Sequence, residues 1–128
     1  MKKRLFAVLM AALTLSACTA EKTSENAGYM CITPQEAKKI MDTQEGYVIL
    51  DTRTPEEYET GHIPGAILIP HDEILERAEK TLPDKDQLIL VYCRSGRRSK
   101  LAAQDLADLG YTNVKEFGGI IDWPYETQ

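Results

Sequence analysis

The chain has 128 residues, 43% of them hydrophobic and 27% charged, and a net charge of −5 at neutral pH. That balance suits one globular domain and excludes a disordered or low-complexity chain. The excess of acid argues against nucleic acid as a partner, so any anion-binding site must be a local exception.

The N-terminal segment stands apart from the rest. Lys2, Lys3 and Arg4 form a positive n-region, Leu5 to Leu15 an apolar stretch of eleven residues, and "LSAC" follows. That stretch is shorter than the ~20 residues a spanning helix needs, so residues 1–17 read as an export signal. "LSAC" resembles the lipobox of bacterial lipoproteins, in which the cysteine becomes the lipidated first residue after cleavage. The plainer alternative is an ordinary cleavage site with an incidental cysteine. The resemblance implies a lipid anchor on Cys18 and an exported protein held at the bacterial cell envelope, on the periplasmic or cell-surface face of a membrane. Residues 18–28 then comprise the anchored cysteine and a polar tether, "EKTSENAG", without apolar periodicity. Loss of residues 1–17 removes three positive charges and no acid, which takes the net charge from −5 to −8.

From Tyr29 onward strand-like and helix-like segments alternate. "YMCI" is a short strand. Thr33 offers an N-cap, Pro34 a first helical residue and Glu36 the far side of a capping box, for a helix to about Asp42. "YVILD" (Tyr47 to Asp51) has the continuous apolar character of a buried strand. "TPEEYETG" repeats the Thr-Pro-x-Glu start for one or two turns that end at Gly61. "AILIP" is a strand stopped by Pro70. His71 to Leu82 reads as a charged amphipathic helix with Ile74, Leu75 and Ala78 inward. "QLILVY" (Gln87 to Tyr92) is the most apolar run and the expected central strand. Ser99 to Leu109 reads as a helix with Ala102, Leu106 and Leu109 on one face and Gly110 just past its end. "VKEF" is a last strand, "GG" a turn, and Ile120 to Glu126 a final helical turn around Trp123. Strands separated by helices specify an α/β fold: residues 29–128 form a single domain with a central parallel sheet of about five strands and helices on both faces.

The chemistry concentrates in "CRSGRRS", Cys93 to Ser99. In open α/β sheets, sites form where strands end and helices begin, and Cys93 stands at such a junction. Backbone N–H groups from Arg94 to Ser99 can curl around the sulfur as a nest, and the helix dipole and the arginines add positive potential. Such surroundings favour a thiolate nucleophile. A buried, inert cysteine would not explain why Arg94, Gly96, Arg97 and Arg98 follow at once. Arg94 and Arg97 on their own also fit solvated surface charge; Arg98, closing the loop, is the better candidate to hold an anion through its planar fork. The remaining thiol, Cys31, lies in an apolar stretch and reads as buried and inert, although a Cys31–Cys93 bridge is open on arithmetic alone. No zinc spacing such as C-x-x-C is present.

"CRSGRRS" resembles the active-site loop of the rhodanese family, sulfurtransferases that carry sulfur as a cysteine persulfide. "DTRTPEEYETGHIPGAILIP" (Asp51 to Pro70) is similar to the family signature D-x-R-x-x-x-E-[FY]-x-x-G-H-I-x-G-A, and "EFGGIIDW" (Glu116 to Trp123) to its closing Gly-Gly and tryptophan segment. The resemblance implies that Cys93 is the persulfide-forming nucleophile and that Arg94, Ser95, Gly96, Arg97, Arg98 and Ser99 form the substrate cradle. It implies supporting roles for Asp51, Arg53, Glu57 and His62: an ion pair from Arg53 to Glu57 or Asp51, and a His62 ring that ties down a turn. The implied partners are small sulfur-containing anions and thiols, or an acceptor protein, with no metal or organic cofactor.

Two other classes share parts of this pattern. Cysteine phosphatases and arsenate reductases also use a Cys–Arg loop, but a longer one with room for a tetrahedral oxyanion. Here only four residues, Arg94 to Arg97, intervene before Arg98. A non-catalytic sulfur-relay or binding module is the other alternative, and such modules often lack the cysteine that this chain keeps.

Overall fold

The computed structural model describes residues 27–128; the signal segment and Cys18 lie outside the described residues. The order is β1 (Met30–Cys31), α1 (Pro34–Thr43), β2 (Val48–Asp51), α2 (Pro55–Thr60), β3 (Ile67–Leu68), a 3-10 turn at His71–Glu73, and α3 (Ile74–Thr81). Then come β4 (Ile89–Cys93), α4 (Arg97–Asp108), β5 (Val114–Gly119) and a 3-10 turn at Ile120–Asp122. The strands form one parallel sheet in the order β1-β5-β4-β2-β3. β4 is central and buried at every residue, as its unbroken apolar run requires when both faces are covered.

Strand alternation sorts the core into two layers. Ile89 and Val91 pack with Leu50, Ala102 and Leu106 beneath α3 and α4, while Leu90 and Tyr92 pack with Ala37, Ile40, Phe117 and Trp123 beneath α1. At about 1.5–3 kcal/mol for each large apolar side chain taken from water, these layers fix the strand ends on which the site is built.

Local signals set the helix ends. Thr33 and Thr54 each close a capping box, with Glu36 and Glu57 respectively, and a proline follows each cap. Gly110, with φ of 95°, ends α4: its N–H donates to the Ala107 carbonyl and the Tyr111 N–H to the Leu106 carbonyl. Only a residue at ease in the left-handed region closes a helix in this way.

Four expectations need correction. Leu75 points outward, 58% exposed, because the segment opens as a 3-10 turn and its inward face is Ile74, Ala78 and Leu82. α4 begins at Arg97 rather than Ser99, since Gly96 supplies the turn into it. Gly118 and Gly119 extend β5 instead of leaving it, and the pairing slips by one residue between Val91–Glu116 and Cys93–Gly119. The last helical turn is confined to Ile120–Asp122.

Candidate active site

Cys93 closes β4 with no exposed surface, at the carboxyl edge of the sheet where the chain turns into α4. Gly96 adopts φ of 100°, and this left-handed turn directs its N–H onto Cys93 Sγ at 3.0 Å. α4 has no side-chain cap and no acid in its first turn. Its leading N–H groups lack intrahelical partners, so the positive end of the helix faces the sulfur. Ser99, buried one turn in, places Oγ 3.3 Å from Sγ and donates to Glu116 Oε1 at 2.7 Å.

The opposite wall comes from β5 and the turn after it. Ile121 N–H donates to the Arg94 carbonyl at 3.2 Å, and Glu116 Oε1 accepts the Gly118 N–H at 2.8 Å. A Cβ at Gly119 would run into the Arg94 carbonyl, so this close approach requires glycine there, while Gly118 is favoured by its φ of 93°.

The charged side chains divide in two. Arg94, Ser95 and Arg97 are exposed around the mouth of the loop. Arg98 is not open to an anion as the sequence suggested: its fork closes on Glu57, Nη1 to Oε1 at 2.6 Å and Nη2 to Oε2 at 2.9 Å. That bidentate pair holds the Glu57 carboxyl at about 2, well below its usual range, through the Arg98 hydrogen bond. Glu57 is therefore the partner of Arg98 and not of Arg53.

Arg53 pairs with Asp51, its Nη2 donating to Oδ2 at 2.8 Å, and it also donates to the Gly61 carbonyl at 2.6 Å. Asp51 accepts the Tyr92 hydroxyl at 2.6 Å, and that hydroxyl accepts the Ile63 N–H. Burial first, and then the bond to Asp51, push the Tyr92 hydroxyl far above its ordinary pKa, so it stays a donor. This buried network binds the ends of β2 and β4 to the Gly61–Ile63 turn. His62 stacks on Tyr58 with centroids 3.8 Å apart, and its Nδ1 lies 3.0 Å from the Tyr58 carbonyl. Its ring ties down the turn.

Cys31 and Cys93 are both free thiols, and β5 lies between their strands. Cys31 is half-buried, opposite Glu116 in the ladder, and burial followed by the Glu116 charge pushes its thiol pKa up. Two surface grooves of about 260 and 300 Å³ border α1, one at the C-terminal segment and the other at the β1 edge; neither is lined by Cys93. Among the described residues no helix is long and apolar enough to cross a membrane, and no group of three His, Cys, Asp or Glu could hold a metal.

Sequence reasoning passed over Glu116 and Tyr92. The signal for Glu116 was alternation: on an interior strand it shares a face with buried Val114, and an acid at an inward position needs a reason.

A family model for the rhodanese-like domain matches residues 33–124. The thiosulfate sulfurtransferase PspE of Escherichia coli is 44% identical over 73 residues, spanning 57% of this chain and 70% of the relative. The putative sulfur carrier protein YrkF of Bacillus subtilis is 39% identical over 110 residues, 84% of this chain and 58% of that longer relative. Among solved structures, a rhodanese with anions from E. coli superposes with a TM-score of 0.61 at 39% identity, covering 64% of this chain and 96% of its own.

Proposed function

This chain belongs to the rhodanese-like family, and from that premise we propose that it moves sulfane sulfur from a donor such as thiosulfate to a thiophilic acceptor through a persulfide on Cys93. The observation that carries the reading is the Gly96 N–H donating to Cys93 Sγ at the uncapped start of α4. The thiolate attacks the outer sulfur of thiosulfate. A sulfur–sulfur bond forms to Cys93, and the donor's sulfur–sulfur bond breaks, its electron pair leaving with sulfite. Negative charge then rests on the outer persulfide sulfur, where the open N–H groups of α4 can hold it. Cyanide or a thiol attacks that sulfur and returns Cys93 as thiolate. The covalent intermediate makes the kinetics ping-pong.

Exposed Arg94 and Arg97 draw an oxyanion toward a loop on an otherwise acidic protein. Arg98 instead fastens the loop to α2 through Glu57. The name of one relative supports thiosulfate as donor, and the name of the other supports carriage of sulfur on the protein. Mature protein given thiosulfate and cyanide should release thiocyanate, and Cys93→Ser should abolish it. Background thiocyanate together with ready hydrolysis of an aryl phosphate would replace this reading with the phosphatase one.

The lipobox-like "LSAC" supports attachment to the cell envelope through Cys18. Cys18→Ala should move the protein from the membrane fraction to the soluble one; a variant that stays with the membrane would end that part of the proposal.

A further inference from the structure

The Glu116 carboxylate lies under the Cys93 loop on an interior strand, 2% exposed. Among the described residues no lysine, arginine or histidine forms an ion pair with it. Its Oε1 stands 2.7 Å from Ser99 Oγ, and the same hydroxyl oxygen stands 3.3 Å from Cys93 Sγ. A hydroxyl has one proton to donate. The shorter contact, to a charged acceptor, takes it, so Oγ turns a lone pair toward the sulfur. That arrangement suits a thiol, whose S–H can donate to Oγ, and opposes a bare thiolate.

We propose that Ser99 and Glu116 form a proton relay that converts the Cys93 thiol into the attacking thiolate. The S–H proton passes to Ser99 Oγ as the Ser99 proton passes to Glu116 Oε1. One S–H and one O–H bond break, two O–H bonds form, and the negative charge moves from carboxylate to sulfur without oxidation. Both hydrogen bonds then survive with their directions reversed. The Glu116 hydroxyl donates to Oγ, and Oγ–H joins the Gly96 N–H in donating to the sulfur. Ser99 touches the reacting atom and is a catalytic residue; Glu116 acts through it and is a positioning residue.

Cys31 faces Glu116 from β1, Tyr29 just before β1 feels its charge, and Lys100 of α4 reaches the field of Cys31. Arg98 of α4 feels Cys93 from its post on Glu57. The shifted Cys31 thiol stays protonated and does not compete as an anion.

The relay rests on Cys93 as nucleophile, but its test needs no sulfur transfer. The full chain is labelled with iodoacetamide across a pH series, and Cys93 labelling is followed by peptide mass spectrometry. An exchange inside the protein involves no net proton, so wild-type labelling should level off to a plateau on the acid side. Glu116→Gln and Ser99→Ala should instead fall about tenfold per pH unit, reaching rates on the order of 10–100-fold below the plateau. Ser99→Thr, which keeps a hydroxyl, should restore it; the Ser99 pair carries the comparison should Glu116→Gln fail to fold. Profiles of one shape in wild type and variants, or no labelling of wild-type Cys93, would overturn the relay. A plateau without thiocyanate production would leave the relay standing and remove the sulfur-transfer reading; thiocyanate without a plateau would do the reverse.

Discussion

The N-termini of α2 and α4 both stand at the carboxyl edge of the sheet, after β2 and β4, and they are finished in opposite ways. At α2, Thr54 and Glu57 satisfy the leading donors within a capping box, and acids fill the first turn. At α4, glycine is the cap, arginines open the first turn, and the nearest acceptor is the sulfur of Cys93. The capped end contributes stability and is closed to ligands. The uncapped end gives up about 1 kcal/mol of capping and has no side-chain acceptor of its own for its leading donors. The two ends are tied together, because Glu57 serves the α2 box and also holds Arg98 of α4.

The strongest way to break this contrast is to push the loop off its wall. Gly119→Ala should displace the Arg94 carbonyl and lower sulfur transfer by about 100-fold, the usual cost of a ~1 Å misplacement. Turnover within a few-fold of wild type would show that the loop does not depend on that wall. A sharper test makes α4 resemble α2. Arg97→Glu puts an acid in its first turn, so stability should rise by about 0.3–1 kcal/mol while kcat/KM for thiosulfate falls about tenfold, one charge reversal at the mouth. Thermal melts and steady-state kinetics read the two signs. Both moving in the same direction would contradict the comparison.

The smallest effect concerns the link. Glu57 has its carboxyl depressed from 4.5 to about 2 in the fold, so its contribution is complete above the unfolded value and is lost as pH falls from about 4.5 toward 2. Both partners are about a quarter exposed, which leaves ~1 kcal/mol after solvent screening. Denaturant unfolding of Glu57→Gln should show that deficit at neutral pH and none near pH 2.

What could be read from the sequence follows from range. The capping boxes at Thr33 and Thr54, the apolar run of β4 and the glycine after α4 are local signals, and each element formed where those residues placed it. Cys93 and its glycine turn were legible for the same reason. The Arg98–Glu57 pair spans 41 positions and depends on which helix ends meet across the sheet, which no local pattern encodes. Glu116 and Ser99 meet only because β5 lies beside β4 beneath α4. Leu75 faces outward because a 3-10 start turns about 120° per residue against about 100° in an α-helix, which rotates the face away from the one α-periodicity alone predicts.

The central claim is that the open end of α4 receives a charged sulfur on Cys93. Intact mass of the protein after exposure to thiosulfate, followed by peptide mapping, tests it directly. One added sulfur atom on the peptide bearing Cys93, removed by cyanide, is the expected result; an unchanged mass, or the sulfur found on Cys31, would contradict it.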